Sequence, residues 1–213
     1  MTVRLVASGL GFSYDPARAL LEGWSAEFEA GEVVAVTGAS GRGKSTLLYL
    51  LGLMLKPSSG EVLLDGQAMH DLSDRERAAA RAGKYGFVFQ DAALDPSRTV
   101  LDNILETALY RGERRRGLIP RAEALMEQFG VGLKREAKPG QVSGGQAQRI
   151  ALCRALIGDP SVLLADEPTG NLDPASSDVV VEALHAQAGR GATVVVVTHD
   201  PSLVERCDRR IEL

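Results

Sequence analysis

The sequence predicts an α/β fold built around a mostly parallel sheet. Three short apolar runs, Val33–Thr37, 161–165 and Thr193–Val197, have the length and composition of strands that are buried on both faces. Segments with helical spacing of apolar residues separate these runs, and such alternation is typical of parallel sheets. Polar residues follow each run, and ligands bind at the carboxyl ends of strands in such sheets.

The other elements follow from local patterns. Apolar residues recur at helical spacing over 44–54, and the charged, alanine-rich stretch 71–81 is typical of an exposed helix. Short β-type runs predict further strands, at residues 4–7, 26–29, 60–64 and 85–90. We expect the N-terminal strands to form an antiparallel β subdomain beside the parallel sheet.

The stretch from about 91 to 158 has few β-branched runs and long helical patterns. It is interpreted as a helical subdomain inserted into a core of about 1–90 and 159–213, all within one domain. Within it, residues 111–116 hold four arginines and one glutamate. We expect a solvated loop between helices there, and contact with a partner or with acidic lipid is the alternative.

The composition excludes several classes of protein. The 213 residues are 45% apolar and 24% charged, unlike those of a disordered tail or a fibre. The net charge of −4 does not indicate a broad basic surface, so no nucleic-acid partner is expected. Two cysteines are too few for a disulfide framework and suit a reducing compartment, and the apolar runs are strand-sized. We expect a soluble, cytoplasmic protein that reaches a membrane through a partner.

The segment between the strand Val33–Thr37 and the next helix fits the phosphate-loop pattern G-x-x-x-x-G-K-[ST]. Its residues are Gly38, Ala39, Ser40, Gly41, Arg42, Gly43, Lys44, Ser45 and Thr46. Glycines let backbone N–H groups point at phosphate oxygens, and the helix N-terminus adds partial positive charge. Lys44 supplies a charge for the β- and γ-phosphates, and the Ser45 hydroxyl suits Mg²⁺. A glycine-rich turn before a helix is the alternative.

Two carboxylates, Asp166 and Glu167, follow the strand predicted at 161–165. An aspartate there can hold the Mg²⁺ of a nucleotide phosphate, and the adjacent glutamate can orient and polarise an attacking water. Taken alone, the pair could equally be a helix N-cap before Pro168. The phosphate loop favours the catalytic interpretation.

Residues 142–146, Val-Ser-Gly-Gly-Gln, resemble the signature sequence of ATP-binding cassette (ABC) ATPases. Five further segments resemble motifs of that family and stand in its order: the phosphate loop, 89–90, 164–167, 171–173 and 198–200. Together they span nearly the whole chain, whereas Ser-Gly-Gly-Gln alone would indicate only a turn before a helix. The sequence is therefore similar to ABC ATPases, which implies a P-loop NTPase core that hydrolyses ATP with Mg²⁺.

The resemblance also implies a head-to-tail dimer, formed by two copies or with a similar ATPase, that sandwiches two ATP molecules. The signature residues of one subunit would approach the γ-phosphate held by the other's phosphate loop, since a helix N-terminus attracts anions. These residues are Ser143, Gly144, Gly145 and Gln146. ATP would thus join the subunits, and hydrolysis would separate them. An integral membrane permease is the implied partner.

Further roles are carried over from the family. Gln90 resembles the residue that contacts Mg²⁺ and the water and links the site to the helical subdomain. His199 resembles the switch histidine that bonds the γ-phosphate and holds the arrangement of the glutamate and the water. Asp173 resembles a loop aspartate that communicates across the dimer. Tyr14 resembles the aromatic residue that stacks on adenine. Phe12 is its rival, and an ordinary core aromatic is the alternative for either.

Residues 168–173, Pro-Thr-Gly-Asn-Leu-Asp, resemble the branch of lipoprotein-release, macrolide-export and cell-division ATPases. This implies an export-type ATPase that drives a separate membrane subunit. The alternatives are a regulatory or mechanotransmitting ATPase that moves no solute, like the cell-division relative, or a nucleotide-binding module without turnover. Residues 91–96 differ from the leucine-leucine-proline segment that usually meets the membrane partner, so the partner's identity stays open.

Overall fold

Two sheets contain the strands of the computed structural model, which describes residues 2–15, 17–39, 41–170 and 172–213. The strands are β1 (Val3–Phe12), β2 (Leu21–Glu29), β3 (Val33–Thr37), β4 (Ser59–Leu64), β5 (Gln67–Ala68), β6 (Tyr85–Val88), β7 (Val162–Asp166), β8 (Thr193–Val197) and β9 (Arg209–Glu212). One sheet is antiparallel in the order β2-β1-β4-β5, and the other is parallel in the order β6-β7-β8-β3-β9. The predicted α/β fold class, with both kinds of sheet, is confirmed.

The parallel sheet separates two hydrophobic cores. All residues of β3, β7 and β8 are buried, as predicted for strands covered on both faces. Side chains alternate between the two cores because successive residues of a strand point to opposite faces. In β8, Val194 and Val196 pack in one core, while Val195 and Val197 pack in the other.

The helices of the described residues are α1 (Lys44–Leu51), α2 (Asp74–Lys84), α3 (Val100–Ile104), α4 (Glu106–Arg111), α5 (Arg115–Gln128), α6 (Gly144–Leu156), α7 (Pro174–Gly189) and α8 (Pro201–Glu205). The segment between β6 and β7 contains α3 to α6 and two 3₁₀ turns, Gly132–Lys134 and Pro139–Gln141. None of the described helices combines the length and apolar character that crossing a membrane requires.

Several predicted boundaries are wrong for local reasons. The first helix stops at Leu51 rather than at 54, because Leu53 has a left-handed φ of 59° that cannot continue a right-handed helix. The second helix begins at Asp74, where Ser73 and Glu76 form a capping box. The strand predicted at 85–90 ends at Val88.

The arginine-rich stretch is only partly a loop. Arg111 ends α4, and Arg115 and Arg116 begin α5, so residues 112–114 alone connect the two helices. Arg111 donates to the carbonyl oxygen of Gly158 at 2.6 Å, which ties the end of α4 to the segment before β7.

Several features of the sheets, the two-residue strand β5 among them, are absent from the sequence-based prediction. The strand β9 was missed because it is a mostly exposed edge strand of polar residues, without the apolar run of its neighbours. The strand β1 continues beyond residue 7, but its pairing with β2 shifts register between Ala7 and Leu10, where Gly9 has φ of 59°. Such a bulge interrupts the alternation of apolar and polar residues on which strand prediction depends.

Candidate functional site

The carboxyl ends of four neighbouring strands bring the predicted groups to one edge of the parallel sheet. The order β6-β7-β8-β3 places these ends side by side. Gln90 follows β6 by two residues, Asp166 ends β7, Thr198 follows β8 and Gly38 follows β3. Ligands of α/β proteins bind at such an edge because loops and helix N-termini converge there.

The phosphate loop connects β3 to α1. Its glycines Gly41 and Gly43 have φ of 78° and 91°, a backbone region that residues with a Cβ adopt only at a cost in free energy. Lys44 Nζ donates to the carbonyl oxygens of Gly38 and Ala39, at 2.8 and 3.1 Å, so its ammonium group folds back over the start of the loop. The lysine is therefore already positioned beside the backbone that is expected to face phosphate.

The first turn of α1 offers backbone donors to a ligand. Gly43 is the N-cap, and within the described part of the chain no side chain caps this helix start. The first N–H groups of a helix lack intrahelical partners and bind phosphate oxygens well. Arg42 is exposed in the loop, and Ser40 lies outside the described residues.

Asp166 and Ser45 form a pair suited to a hard cation. Asp166 is buried at the end of β7. Burial raises the pKa of this carboxyl and nearby Glu167 adds to the rise, while hydrogen bonding to Ser45 and the charge of Lys44 lower it. A bound cation would stabilise the charged form of this carboxylate. The oxygens of Asp166 and Ser45 are the ligand type that Mg²⁺ prefers, so the residues fit the ion.

Glu167 is held at the ends of β7 and β8 by hydrogen bonds. Its Oε2 accepts from Thr198 Oγ1 at 2.9 Å, and its Oε1 accepts from the backbone N–H of His199 at 3.0 Å. His199 Nδ1 lies 2.6 Å from the same Oε1. The Glu167 side chain is 10% exposed, whereas the imidazole is 77% exposed. The structure thus brings the predicted base and the predicted switch histidine into contact.

The backbone at Glu167 is in the left-handed region, with φ of 46°. The N–H of Glu167 donates to the carbonyl oxygen of Val197 at 2.8 Å, which fixes this conformation against β8. No role was predicted for Thr198 from the sequence, although its hydroxyl helps to hold the carboxylate. The available signal was its position directly after four valines.

Gln90 is exposed in the turn that follows β6. The carbonyl oxygen of Phe89 accepts from the N–H of Ala92 at 3.1 Å and from Gln148 Nε2 at 3.2 Å. Because Gln148 belongs to α6, the turn that carries Gln90 is bonded to that helix.

Tyr14 is an exposed aromatic ring beside the phosphate loop. It is 67% exposed, and its hydroxyl lies 3.3 Å from Oγ1 of Thr46, which is buried in the first turn of α1. Its ring meets Phe12 edge-on, with centroids 4.8 Å apart. Phe12 is half-buried and packs against the core, so its ring is less free to stack on a base.

The signature residues lie at the start of α6, in the helical segment and not at the sheet edge. Ser143 Oγ accepts from the N–H of Gln146 at 3.2 Å, and Gln146 Oε1 accepts from the N–H of Ser143 at 3.0 Å, forming a capping box. Ser143 and Gly144 are exposed, and Gly145 is half-buried. The N-terminus of this 13-residue helix is thus accessible from solvent.

Asp173 caps the start of α7. Its Oδ1 accepts from the N–H of Ser176 at 3.0 Å, and its Oδ2 accepts from Ser176 Oγ at 2.7 Å. These bonds hold the pKa of this exposed carboxyl below its usual value. Asn171 lies outside the described residues.

Comparisons with known proteins agree with the geometry. The profile of a family described as "ABC transporter" matches residues 21–170. The chain is 43% identical over 195 residues to the lipoprotein-releasing system ATP-binding protein LolD of Myxococcus xanthus, covering 91% of this chain and 87% of that protein. It is 46% identical over 183 residues to the macrolide export ATP-binding/permease protein MacB 1/2 of Paracoccus denitrificans, covering 86% of this chain and 27% of that protein.

A solved structure is similar over nearly the whole chain. It is the dimeric post-hydrolysis state of the ATP-binding cassette MJ0796 bound to ADP and Pi, with a TM-score of 0.89 and 34% identity. The match covers 98% of this chain and 94% of that one. With a family profile that spans most of the chain and relatives above 40% identity, this chain belongs to the ABC transporter family and is an ATP-hydrolysing domain of that family.

Proposed function

We propose that the chain is the ATPase subunit of an export-type transporter and that Glu167 is its general base. The observation that carries this proposal is the contact of the Glu167 carboxylate with His199 and Thr198, next to Asp166. A carboxylate so placed can accept a proton from water. Phosphate release from MgATP by the purified chain, alone or with a co-purified membrane subunit, supports the proposal. ATP binding without turnover in both preparations contradicts it.

The loop amides and Lys44 bind the triphosphate, since both supply hydrogen-bond donors and positive charge. Ser45 and Asp166 would hold Mg²⁺, with Gln90 as a further ligand. When bound, the ion neutralises negative charge that develops on the phosphate oxygens.

Hydrolysis proceeds by in-line attack of water on the γ-phosphorus. Glu167 takes the water proton as the new P–O bond forms, and the bond to the β–γ bridging oxygen breaks, so that ADP leaves with its electron pair. Nδ1 of His199 keeps the carboxylate oriented. Because the imidazole is exposed, Nε2 of the same ring is available to the γ-phosphate. Lys44 offsets the charge on the phosphates.

The ATP-bound state is proposed to be a dimer of two copies, or of this chain with a similar ATPase. The related cassette MJ0796 is dimeric in its solved structure. In this arrangement, the accessible N-terminus of α6 adds N–H donors to the γ-phosphate held by the other subunit. Asp173, at the start of α7, lies in the loop proposed to contact the partner.

Gly145→Asp is expected to reduce ATP-dependent dimerisation and turnover about tenfold or more. A carboxylate at the second residue of α6 would meet the partner's γ-phosphate, and opposed like charges are costly. The fold itself should tolerate the change, because an acidic residue in the first turn favours a helix. Sedimentation in the presence of ATP measures the fraction of dimer. Both proteins carry Glu167→Gln in this measurement, so that ATP is not hydrolysed.

Gly117→Asp is the matched control, since Gly117 also lies in the first turn of a helix, α5, and a Cβ there meets nothing within 4 Å. It should dimerise like the parent. Equal loss in both variants would contradict the proposed role of the signature.

Tyr14→Ala is expected to weaken ATP binding about 5- to 150-fold, the loss of about 1–3 kcal/mol of base stacking. Tyr14→Phe keeps the ring and should bind like the parent, although it removes the hydroxyl beside Thr46. Titration with a fluorescent ATP analogue measures the affinity. A larger loss in Phe12→Ala than in Tyr14→Ala, with both variants folded, would assign the stacking role to Phe12.

The membrane subunit is proposed to dock in a groove of about 710 Å³ between α2, β6, α4 and α6. Met54 and Tyr110 line it and are exposed. Large exposed apolar side chains beside a groove are typical of interaction sites. In this assembly the chain lies on the cytoplasmic face of the membrane. Residues of about 91–158 form a helical subdomain that rotates relative to the core of about 1–90 and 159–213.

The alternative of a regulatory ATPase that moves no solute is not favoured. The relatives compared above are named for lipoprotein release and macrolide export. A permease that co-purifies with the chain supports the export function, and a cell-division scaffold in its place contradicts it.

A further inference from the structure

The turn that carries Gln90 is held by a buried arginine of α6. Arg154 Nη1 donates to the carbonyl oxygen of Ala93 at 2.6 Å, and its Nη2 donates to that of Ala92 at 2.7 Å. Arg154 is only 8% exposed. Burial lowers the pKa of its guanidinium, an effect that the charges of Glu106 and Asp91 oppose.

The two alanines that Arg154 holds are both left-handed, with φ of 60° at Ala92 and 45° at Ala93. Residues with a Cβ adopt this backbone region at a cost in free energy, and the conformation persists only when surrounding contacts impose it. Arg154 supplies such contacts, because its planar fork bonds both carbonyl oxygens at once. Gln148, six residues earlier on α6, donates to the carbonyl oxygen of Phe89 on the other side of Gln90.

The same contacts lie on the wall of the groove described above. Phe89, Ala93 and Arg154 all line it, together with Tyr110 of α4. Any occupant of the groove therefore meets the residues that shape the turn.

We propose that Arg154 is a positioning residue for Gln90: by holding Ala92 and Ala93 in the left-handed conformation, it fixes the direction in which the turn presents Gln90 to the nucleotide. This rests on the proposed role of Gln90 at the Mg²⁺ and water. Because α6 begins with the signature residues, Arg154 also makes this helix and the turn move together.

The test compares Arg154→Lys with the parent in two measurements. Lysine keeps the positive charge but cannot bond both carbonyl oxygens as the planar guanidinium does. The turnover number of the Arg154→Lys variant is expected to fall at least fivefold, while its KM for ATP stays within twofold of the parent value. Hydrogen exchange of nucleotide-free protein should show faster exchange over residues 89–94. Unchanged turnover and unchanged exchange would overturn the proposal.

Ala93→Val is the second variant, and it leaves Arg154 intact. Ala93 is exposed, so a larger side chain has room, but a β-branched residue resists a φ of 45°. It should show the same loss of turnover number and the same local exchange. Ala93→Gly is the comparison variant and should lose less turnover than Ala93→Val, because glycine accepts this φ freely. Equal losses in the valine and glycine variants would overturn the proposal.

A Gln90→Ala background separates positioning from general damage. If Arg154 acts through Gln90, then Arg154→Lys should lower turnover by less than twofold once Gln90 is absent. A further fivefold loss in that background would overturn the proposal and leave the role of Gln90 intact. Parent-like turnover of Gln90→Ala itself would overturn both.

Discussion

Glu167→Gln is expected to lower the ATP turnover number at least 100-fold while ATP binding persists. A positioned general base contributes about 10²- to 10⁴-fold to rate, and an amide cannot accept the water proton. The amide has nearly the shape of the carboxylate, and its oxygen can still accept from Thr198 or from the N–H of His199. The variant should therefore accumulate as an ATP-bound dimer, detected by phosphate release and by sedimentation with MgATP.

Glu182→Gln is the matched control, because Glu182 is exposed on α7. It makes the same chemical change without touching the sheet edge and should keep parent-like turnover. A near-parent rate for Glu167→Gln would contradict the assignment of the base. The proton acceptor would then have to be sought elsewhere at the strand ends.

Lys44→Ala is expected to weaken ATP binding about 10- to 150-fold, which corresponds to about 1.5–3 kcal/mol for hydrogen bonds to a charged group. The ammonium group already lies beside Gly38 and Ala39, so little reorganisation is needed to meet a phosphate. The loop lies at the surface, and stability to thermal unfolding should change little.

Equilibrium binding of labelled ATP measures the effect. Lys56→Ala removes an exposed lysine that follows α1 and should leave the affinity unchanged. Parent-like affinity of Lys44→Ala, measured with folded protein, would contradict the role given to the loop.

The sequence was most informative where both faces of a strand are buried. Runs such as Thr193–Val197 are recognised as buried strands from their composition alone. Since ligands bind at the carboxyl ends of parallel strands, the loops that follow these runs can then be predicted to form the site. The strand Arg209–Glu212 could not be predicted in this way, because an exposed edge strand needs no apolar run. Its position depends on pairing with β3, a contact between distant parts of the chain.

The site was predictable to a similar extent. The phosphate loop and Asp166 follow from local pattern, because their chemistry depends on residues close in sequence. The contact of Glu167 with His199 joins residues 32 apart in the chain, and only the resemblance to a family suggested it. No pattern distinguished Arg154 from the other arginines of the chain, since its role depends on burial and on the backbone conformation of two alanines.

Because side chains alternate along β8, its valines can report on both hydrophobic cores in one experiment. Val195 and Val197 share a core with Leu47 and Leu48 of the helix that begins at Lys44, whereas Val194 and Val196 share one with Leu152 and Ile150 of α6. In methyl NMR spectra, four consecutive valines therefore sense opposite sides of the protein. Nucleotide binding should shift the methyl resonances of Val195 and Val197, and a tilt of α6 should shift those of Val194 and Val196. Both effects can be followed in a single labelled sample.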